Sequence, residues 1–256
     1  MRRTMLLIGL IAFGVLTVSA GLSKGPGSAQ PTHAATKNEA SPKMKNVLLI
    51  GANGRTSAAI IPRLLEQPDV RLTLFLRRAG RLAHLQDQRV NLFEGDATNM
   101  DDLRRAVDGQ DLVVSTMGGA DLDVKTANIV HAMKEVGARR LIVLSAGGIY
   151  DELPEPFNAW DKHMVGQTRP VNLRTAQVVE RSSLTYTVLR PVWLTDKPTE
   201  TFQLTRKGET YKGTETSRAS IGRFVADVAK NPTLYANENL GISQTGTDGE
   251  MPAAYR

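Results

Sequence analysis

The chain has 256 residues, 41% of them apolar, enough to bury a globular core within one large domain. It contains no cysteine, which excludes disulfides, thiol catalysis and cysteine-ligated metal centres, and its histidines, at 33, 84, 131 and 163, lack metal-ligand spacing, so no metal site is expected. The net charge of +6 is concentrated at the start: residues 1–43 hold five basic side chains against Glu39, leaving 27 basic and 25 acidic side chains from Met44 onward. A nearly balanced body with no basic helix and few aromatics argues against a nucleic-acid partner and for a small-molecule substrate.

Residues 1–22 read as an export signal or a short membrane anchor. Arg2 and Arg3 precede an apolar run from Met5 to Val18, and Val18-Ser19-Ala20 offers small residues for cleavage. That run spans roughly 21 Å as a helix, short of a bilayer core of about 30 Å, so a signal is favoured over a stable anchor. Arg2-Arg3 followed by Thr4 and apolar Met5-Leu6 also resembles a twin-arginine signal, the route for proteins exported already folded. Membrane contact, if any, is expected through residues 5–22 only. Residues 23–43, rich in Gly, Pro, Ala, Ser and Lys, read as a disordered linker, which leaves residues 44–256 as the folded body. The alternative is a start at Met44, which would make the protein cytoplasmic.

Within the body, Asn46 to Ile50 is a short apolar run ending in glycine, and Ala58 to Glu66 carries apolar residues at helical spacing. Strands are expected at Arg71–Leu76, Val90–Glu94, Leu112–Thr116 and Leu141–Leu144. The stretch NMDDLRRAVDG reads as a helix with an acidic start closed by Gly109, and Thr126–Val136 as a helix stopped by Gly137. This alternation implies right-handed crossovers in a parallel, doubly wound α/β sheet. Farther on the pattern loosens. Pro154 and Pro156 mark a loop, Val171–Arg181 and Ser217–Lys230 read as helices, and Thr185–Leu189 as a strand closed by Arg190-Pro191. Leu240–Ser243 reads as a last edge strand, and the irregular segment 193–216 as a small substrate lobe.

The first strand runs into GANGRTS. A pyrophosphate needs backbone N–H donors at a helix N-terminus and a backbone bare of side chains, which Gly51 and Gly54 supply. Ser57 stands where a third glycine would allow close helix–strand packing; it is expected either to pack there or to offer a hydroxyl to a phosphate. An NAD site places an acid at the end of the second strand for the ribose 2′-OH. Here Arg77 and Arg78 stand there, with Arg55 as a third candidate, and guanidinium forks suit a 2′-phosphate, so NADP(H) is the expected cofactor.

The sequence resembles the atypical short-chain dehydrogenase/reductase group that includes the NmrA-like and biliverdin-reductase-B-like proteins. The carriers are GANGRTS, FLRRAGRL, GDATNMDDLRRAVDGQDLVVSTMG, GARRLIVLSAGGIYDE and LTYTVLRPVWLTD. The resemblance implies an NAD(P)-binding Rossmann fold. In it Gly51, Asn53, Gly54, Arg55 and Thr56 would line the pyrophosphate, Arg77 and Arg78 would face the adenosine phosphate, and Asp96 with Ala97 would flank adenine. Ser115, Met117 and Gly118 would border the adenosine and ribose. Ser145, Ala146 and Gly147 would lie beside the nicotinamide, with Pro191 and Trp193 closing over it. Asp96 has a second reading, as a cap of the following helix.

Typical short-chain dehydrogenases use a Tyr-x-x-x-Lys pair, and this chain has none: four residues beyond Tyr150, Tyr186, Tyr211 and Tyr235 stand Pro154, Arg190, Glu215 and Asn239. Ser145, Tyr150 and His163 remain as polar groups for a substrate, with Tyr150 a candidate proton donor, and Trp160 and Trp193 are candidates to roof an aromatic one. The expectation is an NADPH-dependent reductase of a small carbonyl, quinone or flavin-type acceptor. The alternative is a non-catalytic NADP(H)-binding sensor of the NmrA-like type.

Overall fold

A computed structural model describes residues 43–256; the export-signal and linker readings fall on residues 1–42, outside the described residues. The first half alternates strands and helices, with only a 3₁₀ segment between its second and third strands. Strand β1 (Lys45–Ile50) leads to α1 (Arg55–Leu65), β2 (Val70–Leu76), β3 (Val90–Glu94) and α2 (Met100–Val107), then to β4 (Leu112–Ser115), α3 (Leu122–Val136) and β5 (Arg140–Leu144). The second half contains α4 (Phe157–Val165), α5 (Arg169–Glu180), β6 (Thr185–Pro191), β7 (Trp193–Thr195), β8 (Gln203–Arg206), β9 (Glu215–Ser217), α6 (Arg218–Lys230) and β10 (Glu238–Ser243).

The main sheet has the order β3-β2-β1-β4-β5-β6-β10-β8, parallel throughout except for β8, which pairs antiparallel with β10. Strand order reverses between β1 and β4, which places a crevice outside their carboxyl ends. Alternating side chains feed two core layers, as the period of a strand requires. Val47 and Leu49 of β1 join Ile60 and Leu64 of α1 and Phe224 and Val228 of α6. Leu48 and Ile50 face the other way, onto Leu103 of α2, Ile129 and Met133 of α3 and Ala176 of α5. Helices α1 and α6 approach closely because Gly222 lacks a side chain: a Cβ there would lie 2.5 Å from the Ala59 carbonyl oxygen. Among the described residues no helix is long and apolar enough to cross a membrane.

Three expectations change. Strand β10 is not the edge, because β8 covers it; β8 has only four residues and lies inside the segment that reads as irregular. The loop expected around Pro154 and Pro156 is followed at once by α4, which buries Phe157. Asp96 does not cap α2: Asn99 is the N-cap, its side chain accepting from the N–H groups of Asp101 at 2.9 Å and Asp102 at 3.3 Å.

Candidate functional site

A cavity of about 630 Å³ opens at the carboxyl ends of β1 to β4. Gly51, Asn53 and Gly54 of the first turn line it, together with Phe75 to Arg78 at the end of β2, Gly95 to Thr98 after β3, and Met117 and Gly118 after β4. The turn is built for close approach. Gly51 has φ +85°, and a Cβ there would lie 3.1 Å from Thr116 Oγ1 and 3.2 Å from Met117 Cγ, so glycine alone fits both the backbone and the space. Gly54 is the N-cap of α1, makes no side-chain cap, and is followed by a first turn without an acidic residue. The first N–H groups of α1 therefore have no intrahelical acceptor and present donors beside the cavity, the arrangement a pyrophosphate needs.

Ser57 resolves in favour of packing. It is fully buried, donates to the Gly51 carbonyl at 3.0 Å and shares a 2.7 Å hydrogen bond with Thr116 Oγ1, so its hydroxyl braces the turn from behind. The Thr116 backbone N–H reaches the Ile50 carbonyl at 3.0 Å, tying the end of β4 to the same turn. The missing third glycine is thus replaced by a hydrogen-bonded serine between α1 and β4.

Arg77 and Arg78 line the cavity, and Arg81, which the sequence reading passed over, joins them. A 3₁₀ segment over 79–85 carries Arg81 one turn back toward Arg78, and its backbone N–H bonds the Arg78 carbonyl at 3.1 Å. Three arginines therefore line the cavity together. Asp96 and Ala97 line the cavity too. Asp96 accepts from the Thr98 N–H at 2.9 Å and hydroxyl at 2.8 Å, bonds that, with the nearby charges of Arg77 and Lys125, hold its carboxyl below the usual range. Lys125 and Asp121, a 2.7 Å ion pair on α3 that the sequence reading also missed, complete the wall.

Other expected residues sit elsewhere. Arg55 does not line the cavity; its exposed guanidinium pairs with Asp196. Thr56 lies in the first turn of α1 and, like Arg55, does not line the cavity. Ser115 is 1% exposed inside the sheet and does not reach the cavity, which Met117 and Gly118 line instead.

Ser145, Ala146 and Gly147 continue β5 along the same carboxyl edge, outside the cavity lining. The Ser145 N–H bonds the Leu189 carbonyl at 2.9 Å and the Gly147 N–H bonds the Pro191 carbonyl at 2.8 Å, joining them to the end of β6. The Ser145 hydroxyl donates to the Asn172 carbonyl of α5 at 3.0 Å. Pro191 is buried at the end of β6, and Trp193 opens β7.

Tyr150 does not line the cavity, and its hydroxyl is engaged by the second half of the chain. Its hydroxyl accepts from Asn239 Nδ2 at 3.0 Å, the same amide bonds Glu180 at 2.8 Å, and the Lys207 ammonium lies 4.7 Å from the ring centre. Lys207 follows β8, Asn239 lies near the start of β10 paired with Val188 of β6, and the Arg190 guanidinium lies 5.3 Å from the ring centre, so the ring sits beside the second half of β6 and the start of β10. Burial, then the Glu180 charge, pushes its pKa up. His163 is exposed on α4. Trp160 and Trp193 pack on each other at 5.1 Å between ring centres and share Tyr255 as a third ring, at 5.2 and 5.0 Å.

A buried ion pair, unforeseen from sequence, shapes this side. Arg190, fully buried in β6, pairs with Glu152 and donates to Asn239 Oδ1 at 2.7 Å. Glu152 also accepts from the N–H groups of Gly148 at 3.1 Å and Tyr150 at 2.8 Å, so one carboxylate pins the loop after β5 to the carboxyl end of β6.

These features meet known proteins at the level of fold and family. The family model described as NAD(P)H-binding matches residues 51–232. A Rossmann-fold NAD(P)-binding family protein from Shigella flexneri is 34% identical, with 82% of this chain and 98% of that one covered at a TM-score of 0.68. A short-chain dehydrogenase/reductase from Veillonella parvula, solved in complex with NADP, is 24% identical over 82% of this chain and 99% of its own, with a TM-score of 0.76. An anaerobillin reductase from Escherichia coli O157:H7 shares the fold at 23% identity and a TM-score of 0.70, covering 80% of this chain and all of that one. With its glycine turn, its parallel sheet and its matched length, the chain belongs to the NAD(P)H-binding family of Rossmann-fold proteins.

Proposed function

We propose that the protein is an NADPH-dependent reductase of a small carbonyl, quinone or flavin-type acceptor. The observation that carries the cofactor choice is the wall of Arg77, Arg78 and Arg81 at the end of β2, where an NAD site would need an acid. Planar guanidiniums pair with a phosphate in two places at once, and three of them favour a doubly charged 2′-phosphate over a hydroxyl. NADPH, when bound, supplies the hydride. The chain's own part is to hold the pyrophosphate on the first turn of α1, to clamp the adenosine phosphate and to keep the rim from Ser145 to Gly147 fixed against Pro191. With the Tyr150 hydroxyl held at Asn239 outside the cavity lining and the Ser145 proton engaged by Asn172, the proton for the reduced acceptor comes from solvent. Oxidation of NADPH followed at 340 nm against a panel of quinones, flavins and aldehydes tests this. One NADPH consumed per two-electron acceptor supports it, and no consumption by protein that binds NADPH would overturn it.

The same two side-chain placements favour a second reading, a non-catalytic NADP(H)-binding sensor, because no uncommitted acid stands at the rim. The discriminating result is binding without turnover across the whole panel. For location, we propose export, on the residue pattern of positions 1–22. N-terminal sequencing of the mature chain from fractionated cells separates cleavage near Ala20 from retention of an anchor and from a start at Met44.

A further inference from the structure

Helices α1 and α6 both begin at the carboxyl edge of the sheet, held together by the Gly222–Ala59 contact, and their first residues are Arg55 and Arg218. One carboxylate joins them. Asp196, just after β7, accepts from Arg218 at 2.7 Å and pairs with Arg55. The two halves of this bridge differ in kind. The Arg218 side chain is 13% exposed, whereas Arg55 is 72% exposed. An exposed pair is worth little in water, and the shielded one is screened less. Arg55 directly follows Gly54, which lines the cavity, at the helix end that favours an anion.

We propose that Asp196 is an exchangeable counter-ion for Arg55: it keeps Arg55 occupied until the cofactor's pyrophosphate arrives, then yields it and stays on Arg218. Asp196 thereby acts as a positioning residue, tying the segment from Trp193 to Glu200 to the state of the phosphate turn. A second clasp, Glu200 to Arg63 on α1, holds the far end of that segment and is not part of the exchange. The inference rests on the pyrophosphate lying at the α1 turn, but not on any reductase activity.

The test is direct binding by calorimetry, with three ligands: NADPH, ADP-ribose, which carries the pyrophosphate without the 2′-phosphate, and 2′-AMP, which lacks the pyrophosphate. Asp196→Asn removes the competitor, so NADPH and ADP-ribose should bind about two- to five-fold tighter, the range of one exposed ion pair, while 2′-AMP is unchanged. Arg55→Ala in the Asp196→Asn background should abolish that gain. Glu200→Gln removes an equal charge from the same segment and should leave all three affinities unaltered. Emission from the tryptophans should shift when wild-type protein binds ADP-ribose and should start shifted in Asp196→Asn, because Trp193 lies three residues from the bridge. Equal tightening by Glu200→Gln, or of 2′-AMP by Asp196→Asn, would show a general charge effect and overturn the exchange, as would an unchanged or weakened ADP-ribose affinity. Thermal melts of each variant confirm folding, and Asp196→Glu should keep the wild-type pattern. Failure of the NADPH oxidation assay would leave these outcomes untouched.

Discussion

Replacing Arg77 and Arg78 together by alanine isolates the arginine wall from the rest of the cofactor site. All three arginines of the wall are exposed at the cavity, so each phosphate contact works in partial solvent. A hydrogen bond to a charged group is worth about 1.5–3 kcal/mol, and exposure pulls that toward the lower end. With Arg81 still in place, the double variant is expected to lose about 2–3 kcal/mol of NADPH affinity, roughly 30- to 150-fold. NADH has only a 2′-hydroxyl at that end, so its loss should stay below about 1 kcal/mol. Fluorescence or calorimetric titration with both cofactors at fixed ionic strength reads the ratio directly. The NADPH isotherm of the double variant should also depend less steeply on salt, since two screened charges are gone. Equal losses for NADPH and NADH would refute the assignment and move the phosphate elsewhere.

Gly51→Ala should cost about 1–2 kcal/mol of stability from its left-handed backbone and weaken both cofactors alike, read by urea melts and by the same titrations. Tyr150→Phe should lower stability by about 1 kcal/mol through the lost Asn239 bond and leave any turnover and its pH profile unchanged; a lost basic limb in kcat/KM would restore Tyr150 as the proton donor. Glu152→Gln strands the buried Arg190 guanidinium, so a loss of about 3 kcal/mol is expected in chemical denaturation, with Glu152→Leu combined with Arg190→Met recovering most of it. A single-variant cost under about 1 kcal/mol would mean water reaches the pair.

The parallel half of the fold was legible because each of its elements is a local pattern. Apolar runs of four to six residues, separated by amphipathic helices with Asn99 or Gly137 at their ends, leave few other arrangements. Helix α4 also left a trace, Phe157, Trp160 and Met164 at helical spacing, which the prolines at 154 and 156 masked. Strand β8 left almost none, since Gln203–Arg206 is too short to show a period and owes its conformation to pairing with β10.

The cofactor site divides along the same line. Gly51, Gly54, Arg77 and Arg78 act through their own local backbone, so spacing along the chain reveals them, and Arg81 was within reach of the same reasoning, three residues beyond Arg78. What a side chain does once placed depends on partners that sequence distance hides. Arg55 stands in the phosphate turn yet is held by Asp196, 141 residues away, and Tyr150 follows the nicotinamide-side rim yet is drawn to Asn239, 89 residues away. Both departures are electrostatic choices between a near and a far acceptor, decided only when the sheet is assembled. They differ in reversibility, because the Arg55 pair is exposed and cheap to exchange whereas Tyr150 is held by packing as well as by its hydrogen bond. A bound pyrophosphate can recover Arg55 for the site, whereas freeing Tyr150 would cost the Asn239 hydrogen bond and the packing of its ring together.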